Sequence, residues 1–272
     1  MSSVTFSLDA ILNDVQTLNV VQAAPASGRR ERNRVARREQ YLQAAMRIVS
    51  EDGVERLTMQ RMADDLDCAV GTVYTYFSSK DALLAELQRR ALDRITESYR
   101  RLRARIEPEL AERAADEVEA SLADVLLGLR FWVSTAEVFP DESNLFRALT
   151  TRSTRMAPEE AARMLPSAWQ LFALGAAAIG RAQDAGALTP GDAGRRMVTA
   201  ASALGGVLLL DGIAHFDPEL FAGRDLALQL AEDLLRGWGA DPGRLPAAVA
   251  LADALVLDGP LVPDVPGFDD AA

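Results

Sequence analysis

The sequence predicts an all-α fold in two parts, a small domain of three short helices followed by a larger helical domain. Three observations carry this. Apolar residues recur at spacings of three and four through most of the chain, and no stretch shows the alternation expected of a strand. Pro140, Pro158, Pro190 and Pro218 fall at or near the first turn of such segments, where the missing N–H costs nothing. Between Leu57 and Leu84 the pattern breaks into short pieces, with threonines and tyrosines where apolar packing would not call for them.

Taken in order, Gln40 to Ser50 places Tyr41, Leu42, Ala45, Met46 and Val49 on one helical face, and Gly53 follows as a stop. Thr58 is placed to cap the next helix, whose Met62, Ala63 and Leu66 share a face. Asp67 stands at the turn, where a residue tolerant of left-handed backbone is needed. Gly71 is expected to allow a close approach between backbones. Val73 and Phe77, four apart, point inward and leave Thr72, Tyr74, Thr75 and Tyr76 to face a ligand. Ser78 or Ser79 can cap a long helix that runs through Leu84, Leu87, Ala91 and Ile95 to about Arg105, with Pro108 beyond it. Further helices are expected at roughly 110–137, 141–153, 158–186, 190–214 and 217–238, and at Leu245–Leu257. Val4, Leu8, Ile11, Val15 and Leu18 have amphipathic spacing, and the Pro-rich acidic tail after Leu257 reads as unstructured.

Two short helices around a tight turn, the second rich in hydroxyls and aromatic edges, form the layout of a helix-turn-helix. The run GTVYTYFSSKDALL, preceded by LTMQRMADDL, resembles the DNA-binding domain of the TetR family of transcriptional regulators over roughly Arg37 to Tyr99. The resemblance implies phosphate contacts from Thr58, Thr72, Tyr74 and Lys80, and base contacts from Thr75 and Tyr76. Ala69 and Val70 depart from the family pattern, which has a Ser or Thr cap and often a polar residue there. Ahead of the motif, Arg29 to Arg38 holds six arginines and one acid, read as a flexible arm whose Arg37 and Arg38 meet phosphates or an adjacent minor groove. The implied boundaries are an N-terminal extension (1–28), a basic arm (29–38), the helix-turn-helix domain (39–82), a ligand-binding and dimerisation domain (83–240) and a C-terminal extension (241–272).

Family members are usually homodimers that pair their last two long helices, which suits a palindromic operator. Gly205 and Leu209 in the run Ala203–Ala214, and Phe221, Leu228, Leu235 and Trp238 beyond it, fit that interface. The same spacing also fits an intramolecular core. A ligand pocket needs apolar walls with a few polar anchors. Phe131, Trp132, Thr135, Phe139, Phe146, Trp169 and Phe172 are the candidates, with Arg130, Ser134, Asn144 and Gln170 as further polar groups. The expected protein is therefore a homodimeric repressor released from double-stranded DNA by a small apolar effector. The alternative is a DNA-binding dimer with no small-molecule effector, architectural or regulated by a partner.

Charge supports this division of labour. The net charge is −11, yet residues 29–105 carry 17 basic and 12 acidic groups, while residues 106–272 carry 12 and 26. One basic end on an acidic body favours DNA in a single orientation. One Cys and one His exclude an internal disulfide and a Cys/His zinc site, so no metal or cofactor is expected. No Gly-rich nucleotide loop or nucleophilic triad is present, so an enzyme is not expected. The longest apolar stretch, Met197–Leu210, is shorter than the roughly 20 residues of a membrane span, and the N-terminus lacks a basic start. The expectation is a cytoplasmic protein without a membrane partner.

Overall fold

A computed structural model describes residues 28–151 and 157–265. Helix α1 (Arg29–Asp52) is followed by a 3₁₀ turn (Val54–Arg56), α2 (Met59–Asp65), α3 (Val70–Tyr76) and the long α4 (Lys80–Arg113). The second part comprises α5 (Glu117–Val138), α6 (Pro140–Thr151), α7 (Pro158–Asp184), α8 (Ala193–Leu208) with a 3₁₀ turn (Leu209–Ile213), α9 (Gly223–Gly237) and α10 (Leu245–Leu257). There is no strand among the described residues.

Two apolar cores organise the chain, and α4 belongs to both. Its first turns give Leu83, Leu84, Leu87 and Ala91 to a core with Tyr41, Leu42, Met46 and Val49 of α1, Met62 and Ala63 of α2, and Val73 of α3. Its later turns give Leu92, Ile95, Tyr99, Leu102, Ile106 and Leu110 to the core of the second part. Leu145 of α6, fully buried, packs into the first core, and Glu142 one turn earlier takes Arg94 of α4 at 2.5 Å. One continuous helix therefore joins the two cores.

Several boundaries depart from the sequence expectation for physical reasons. The helix expected to stop near Arg105 continues to Arg113 with Pro108 inside it. Ile106 and Leu110 are buried on the core face, and their burial offsets the hydrogen bond that proline removes. As a result α5 begins only at Glu117, where Asp116 accepts the Glu119 N–H at 3.0 Å. Likewise α8 starts after Asp192, which accepts the Arg195 N–H at 2.9 Å, rather than at Pro190. Helix α9 begins at Gly223 rather than 217, because Asp217 closes a turn of its own on Glu219 and Leu220. Asp211 accepts the Gly223 N–H at 2.8 Å. A Cβ at Gly223 would lie 2.6 Å from that carboxylate and 3.0 Å from the Val207 carbonyl, so only glycine fits. The run Arg29–Arg38 is not a flexible arm: it forms the first turns of α1.

Residues 258–265 of the tail, expected to be unstructured, are packed against the body of the chain. The tail runs back along α4, whose side chains bind its carbonyls: Arg94 to Val265 at 3.0 Å, Ser98 to Pro263 at 2.6 Å, Arg101 to Asp264 at 2.8 Å, and Arg105 to Gly259 and Pro260. Prolines 260 and 263 lack an N–H, so this strap cannot form a regular ladder and its carbonyls need outside donors. Val262 and Val265 are buried beneath it. A chain ending at Leu257 is expected to melt about 4–8 °C lower, a loss of roughly 2 kcal/mol after the ordering cost is deducted. An unchanged midpoint in a thermal melt would show that the strap adds nothing. The amphipathic spacing at Val4–Leu18 lies outside the described residues.

Candidate nucleic-acid interface and ligand cavity

The turn between α2 and α3 forms as its residues require. Thr58 caps α2, its hydroxyl accepting the Arg61 N–H at 3.0 Å. Asp67 has φ +48°, the single non-glycine residue with positive φ among those described, and the Cys68 N–H closes the turn on the Ala63 carbonyl at 2.9 Å. Ala69 offers no side-chain cap to α3. Val73 and Phe77 are buried, which seats α3 on the core and turns Gly71, Thr72, Tyr74 and Thr75 outward. Tyr74 is 51% exposed although it is large and aromatic. The Thr75 hydroxyl donates to the Thr72 carbonyl at 2.6 Å.

Three expectations at this surface are corrected. Tyr76 is half-buried and packs its ring 5.0 Å from that of Tyr41, so it braces α3 on α1 instead of standing free. Gly71 meets no atom of the chain within 4 Å of a built Cβ, so no close backbone approach explains it. Arg38 turns inward, pairing with Glu86 at 2.9 Å and lying over the Phe77 ring, which anchors α1 to α4. Arg37 donates to Gln40 at 3.0 Å and lies over Tyr41. Lys80 donates to the Val54 carbonyl at 3.0 Å, tying the start of α4 to the 3₁₀ turn before α2. Thr58, Thr72, Tyr74 and Thr75 thus form the exposed face, with Lys80 half-buried at its edge.

Glu86 is the electrostatic centre behind that face. It receives Arg38, Arg89 and Arg90, and Arg90 also pairs with Glu39 of α1. Burial by itself would raise its pKa, but hydrogen bonds from Arg89 and Arg38 outweigh burial and lower it from the ordinary 4.5 to about 2. The folded-state value lies below the unfolded one. The carboxylate therefore stabilises the fold fully above about pH 4.5 and loses that contribution as pH falls through about 2. Glu86→Gln is expected to flatten the pH dependence of stability between those values. Identical acid-unfolding curves for both proteins would exclude this.

Behind the domain, α4, α5, α6, α7 and α8 enclose a mainly apolar cavity of about 370 Å³. Trp132, Thr135, Phe146 and Phe172 line it, four of the seven candidates. Phe131 lies deeper, against Tyr99 at 5.0 Å, and borders a void of only about 20 Å³. Phe139 is fully buried beneath Arg94, 4.4 Å from the ring. Trp169 lines neither space, and Arg130 is held by Asp253 at 2.5 Å. Sequence reading missed the α4 wall, Gln88, Leu92 and Ile95. Their spacing of four and three was a usable signal, but it resembled ordinary core.

Of the residues expected at a dimer interface, Gly205 and Leu209 also border the cavity, with Gly206 and Leu208. Leu235 is fully buried in the core of its own chain, and Phe221, Leu228 and Trp238 are half-buried. An apolar outer surface nevertheless remains: Leu209, Ile213, Phe216 and Leu220 are all exposed. Ala193–Ile213 is, among the described residues, the one helix long and apolar enough to cross a membrane, because its flanks extend the 14 residues counted from sequence to 21. Met197, Ala200, Ala201 and Leu204 bury its inner face in the second core, while most of the rest of the helix is not buried.

Comparison with known proteins adds to this geometry. Residues 42–87 match the model described as "Bacterial regulatory proteins, tetR family". Over 59 residues the chain is 46% identical to the HTH-type transcriptional repressor KstR of Mycobacterium tuberculosis, a match covering 22% of this chain and 27% of that protein. The chain thus spans about a quarter of the length of the curated relatives it matches. A TetR transcription regulator from Haloarcula marismortui superposes with a TM-score of 0.55 at 20% identity, covering 75% of this chain and 98% of that one. A transcriptional regulator from Saccharomonospora viridis, solved with choline, superposes at 0.52 and 21% identity, covering 74% and 96%. At these identities the two structures share a fold with the chain.

Proposed function

We propose that the chain, whose residues 42–87 match the tetR family model, is a homodimeric repressor of that family released from a palindromic operator by a small apolar ligand. One observation carries the reading: α4 is at once a packed member of the helix-turn-helix core and a wall of the cavity. A ligand that favours one position of α4 must shift the helix-turn-helix with it, which is the differential contact that coupling requires. The exposed Thr72, Tyr74 and Thr75 supply the DNA face, and the first turns of α1 carry the exposed Arg29, Arg30 and Arg34.

Dimerisation is supported by the apolar surface around the end of α8. Leu209, Ile213, Phe216 and Leu220 are four large apolar side chains exposed within twelve residues, and exposed apolar surface of this kind marks interaction sites. A self-complementary face would cover them and set two α3 helices one DNA turn apart.

The test is binding of the purified protein to its own upstream DNA and to a scrambled copy across a salt series. Selective binding that falls steeply with salt is expected. Equal affinity for both sequences at every salt concentration would sink the repressor reading. Light scattering at micromolar concentration should give twice the chain mass of 29.4 kDa, and Ile213→Glu should return it to the monomer value.

A further inference from the structure

The cavity is lined mostly by apolar groups, but it contains one buried polar mismatch. Gln88 is 2% exposed, lines the cavity, and its Oε1 has no hydrogen-bond partner. Among the described residues it is the single cavity-lining side chain with such an orphan atom. Among the other polar side chains of the wall, Thr135 donates to the Trp132 carbonyl at 2.7 Å, Ser143 donates to the Thr135 carbonyl at 3.3 Å, and Ser202 is exposed to solvent. Arg147 is held by Asn144. Leaving a buried amide oxygen unpaired costs about 1–3 kcal/mol, and nearby Leu92 would be the ordinary apolar choice for such a wall.

Building on the reading of this cavity as an effector site, we infer that the effector is a neutral, mainly apolar molecule bearing a hydroxyl, which hydrogen-bonds to Gln88. A hydroxyl both donates and accepts, so it satisfies the amide in either orientation of its O and N. An ammonium group there would be a buried cation with no carboxylate among the lining residues, and a buried unpaired charge is far costlier than an unpaired hydroxyl. A carboxylate at Gln88 would need a cation, and the single charged lining residue, Arg147, stands on α6 rather than on α4. The position also matters for transmission. Gln88 lies two residues after Glu86, which ties α4 to Arg38 of α1. A ligand bonded to Gln88 therefore acts on the turn of α4 that holds the helix-turn-helix.

The experiment measures Trp fluorescence and thermal shift of the full chain with four ten-carbon probes: 1-decanol, methyl nonyl ether, decanoate and decylammonium. Decanol is expected to bind tightest, and Gln88→Met to weaken it roughly tenfold, the ratio one neutral hydrogen bond carries. The same variant should leave methyl nonyl ether within about twofold, since a hydrogen bond it cannot donate is not lost. Gln88→Met removes an unpartnered polar atom at conserved volume, so its melting temperature should not fall. Decanol affinity unchanged by Gln88→Met, or decanoate or decylammonium binding more tightly than decanol, would overturn the assignment while leaving the cavity as an effector site. Binding of none of the four would overturn the effector reading with it.

Discussion

Asp124→Ala is expected to destabilise the protein by about 3–5 kcal/mol, the cost of breaking a buried ion pair by removing one partner. Asp124 on α5 is 4% exposed. One of its oxygens meets Arg103 of α4 and the other takes Arg181 of α7 at 2.8 Å. The carboxylate thus pins three helices, and one of them is the helix shared by both cores. Removing it leaves Arg103, whose side chain is 17% exposed, without compensation for its lost hydration. Arg181, nearly half exposed, can turn to water and should contribute little. Urea unfolding measures the loss, and a change below 1 kcal/mol would show that the pair is not coupled to folding. The paired replacement Asp124→Leu with Arg103→Met should recover most of the stability, because apolar groups of similar volume often replace buried ion pairs at no net cost.

Tyr74→Ala is expected to weaken DNA binding roughly ten- to hundredfold on every sequence, since a hydrogen bond to a charged phosphate is worth about 1.5–3 kcal/mol. Its fold should be unaffected, as the side chain is half in water and not part of the apolar core. Lys80→Ala should also weaken binding on all sequences and reduce the salt slope by about 1. It carries a second effect that Tyr74 does not: the hydrogen bond to the Val54 carbonyl is lost, so its melting temperature should fall slightly. Thr75→Ala should instead alter preference among operators with little change on nonspecific DNA. Equal losses on all sequences for all three variants, in titrations at fixed salt, would refute this division of roles. Tyr76→Ala separates the two kinds of residue: its ring supports α3 against Tyr41, so stability should fall together with affinity.

Local chemistry made much of the helix-turn-helix legible before any coordinates. Thr58 as a cap, Asp67 in left-handed backbone, and Val73 with Phe77 as the inward pair are consequences of short-range geometry, and each stands in the structure as read. Such features depend on neighbours within about four residues, so their sequence signal is complete. The reading failed where a long side chain had a choice of partners. Arg38 and Tyr76 were assigned outward, yet Glu86 and Tyr41, distant in sequence, claim them. Periodicity likewise could not separate the uses of an apolar face. Leu235 faces the core, Gly205 the cavity and Ile213 water, although all three sit on similar stripes.

The sequence by itself determined the helical class, the placement of most helices and the helix-turn-helix, because caps, turn residues and apolar spacing act locally. The tertiary structure decided what those signals leave open: that α4 passes through Pro108 to serve two cores, that the tail straps back onto it, and which aromatic residues line a cavity and which fill the core. These depend on burial free energy gained between distant segments, a quantity that no local spacing encodes.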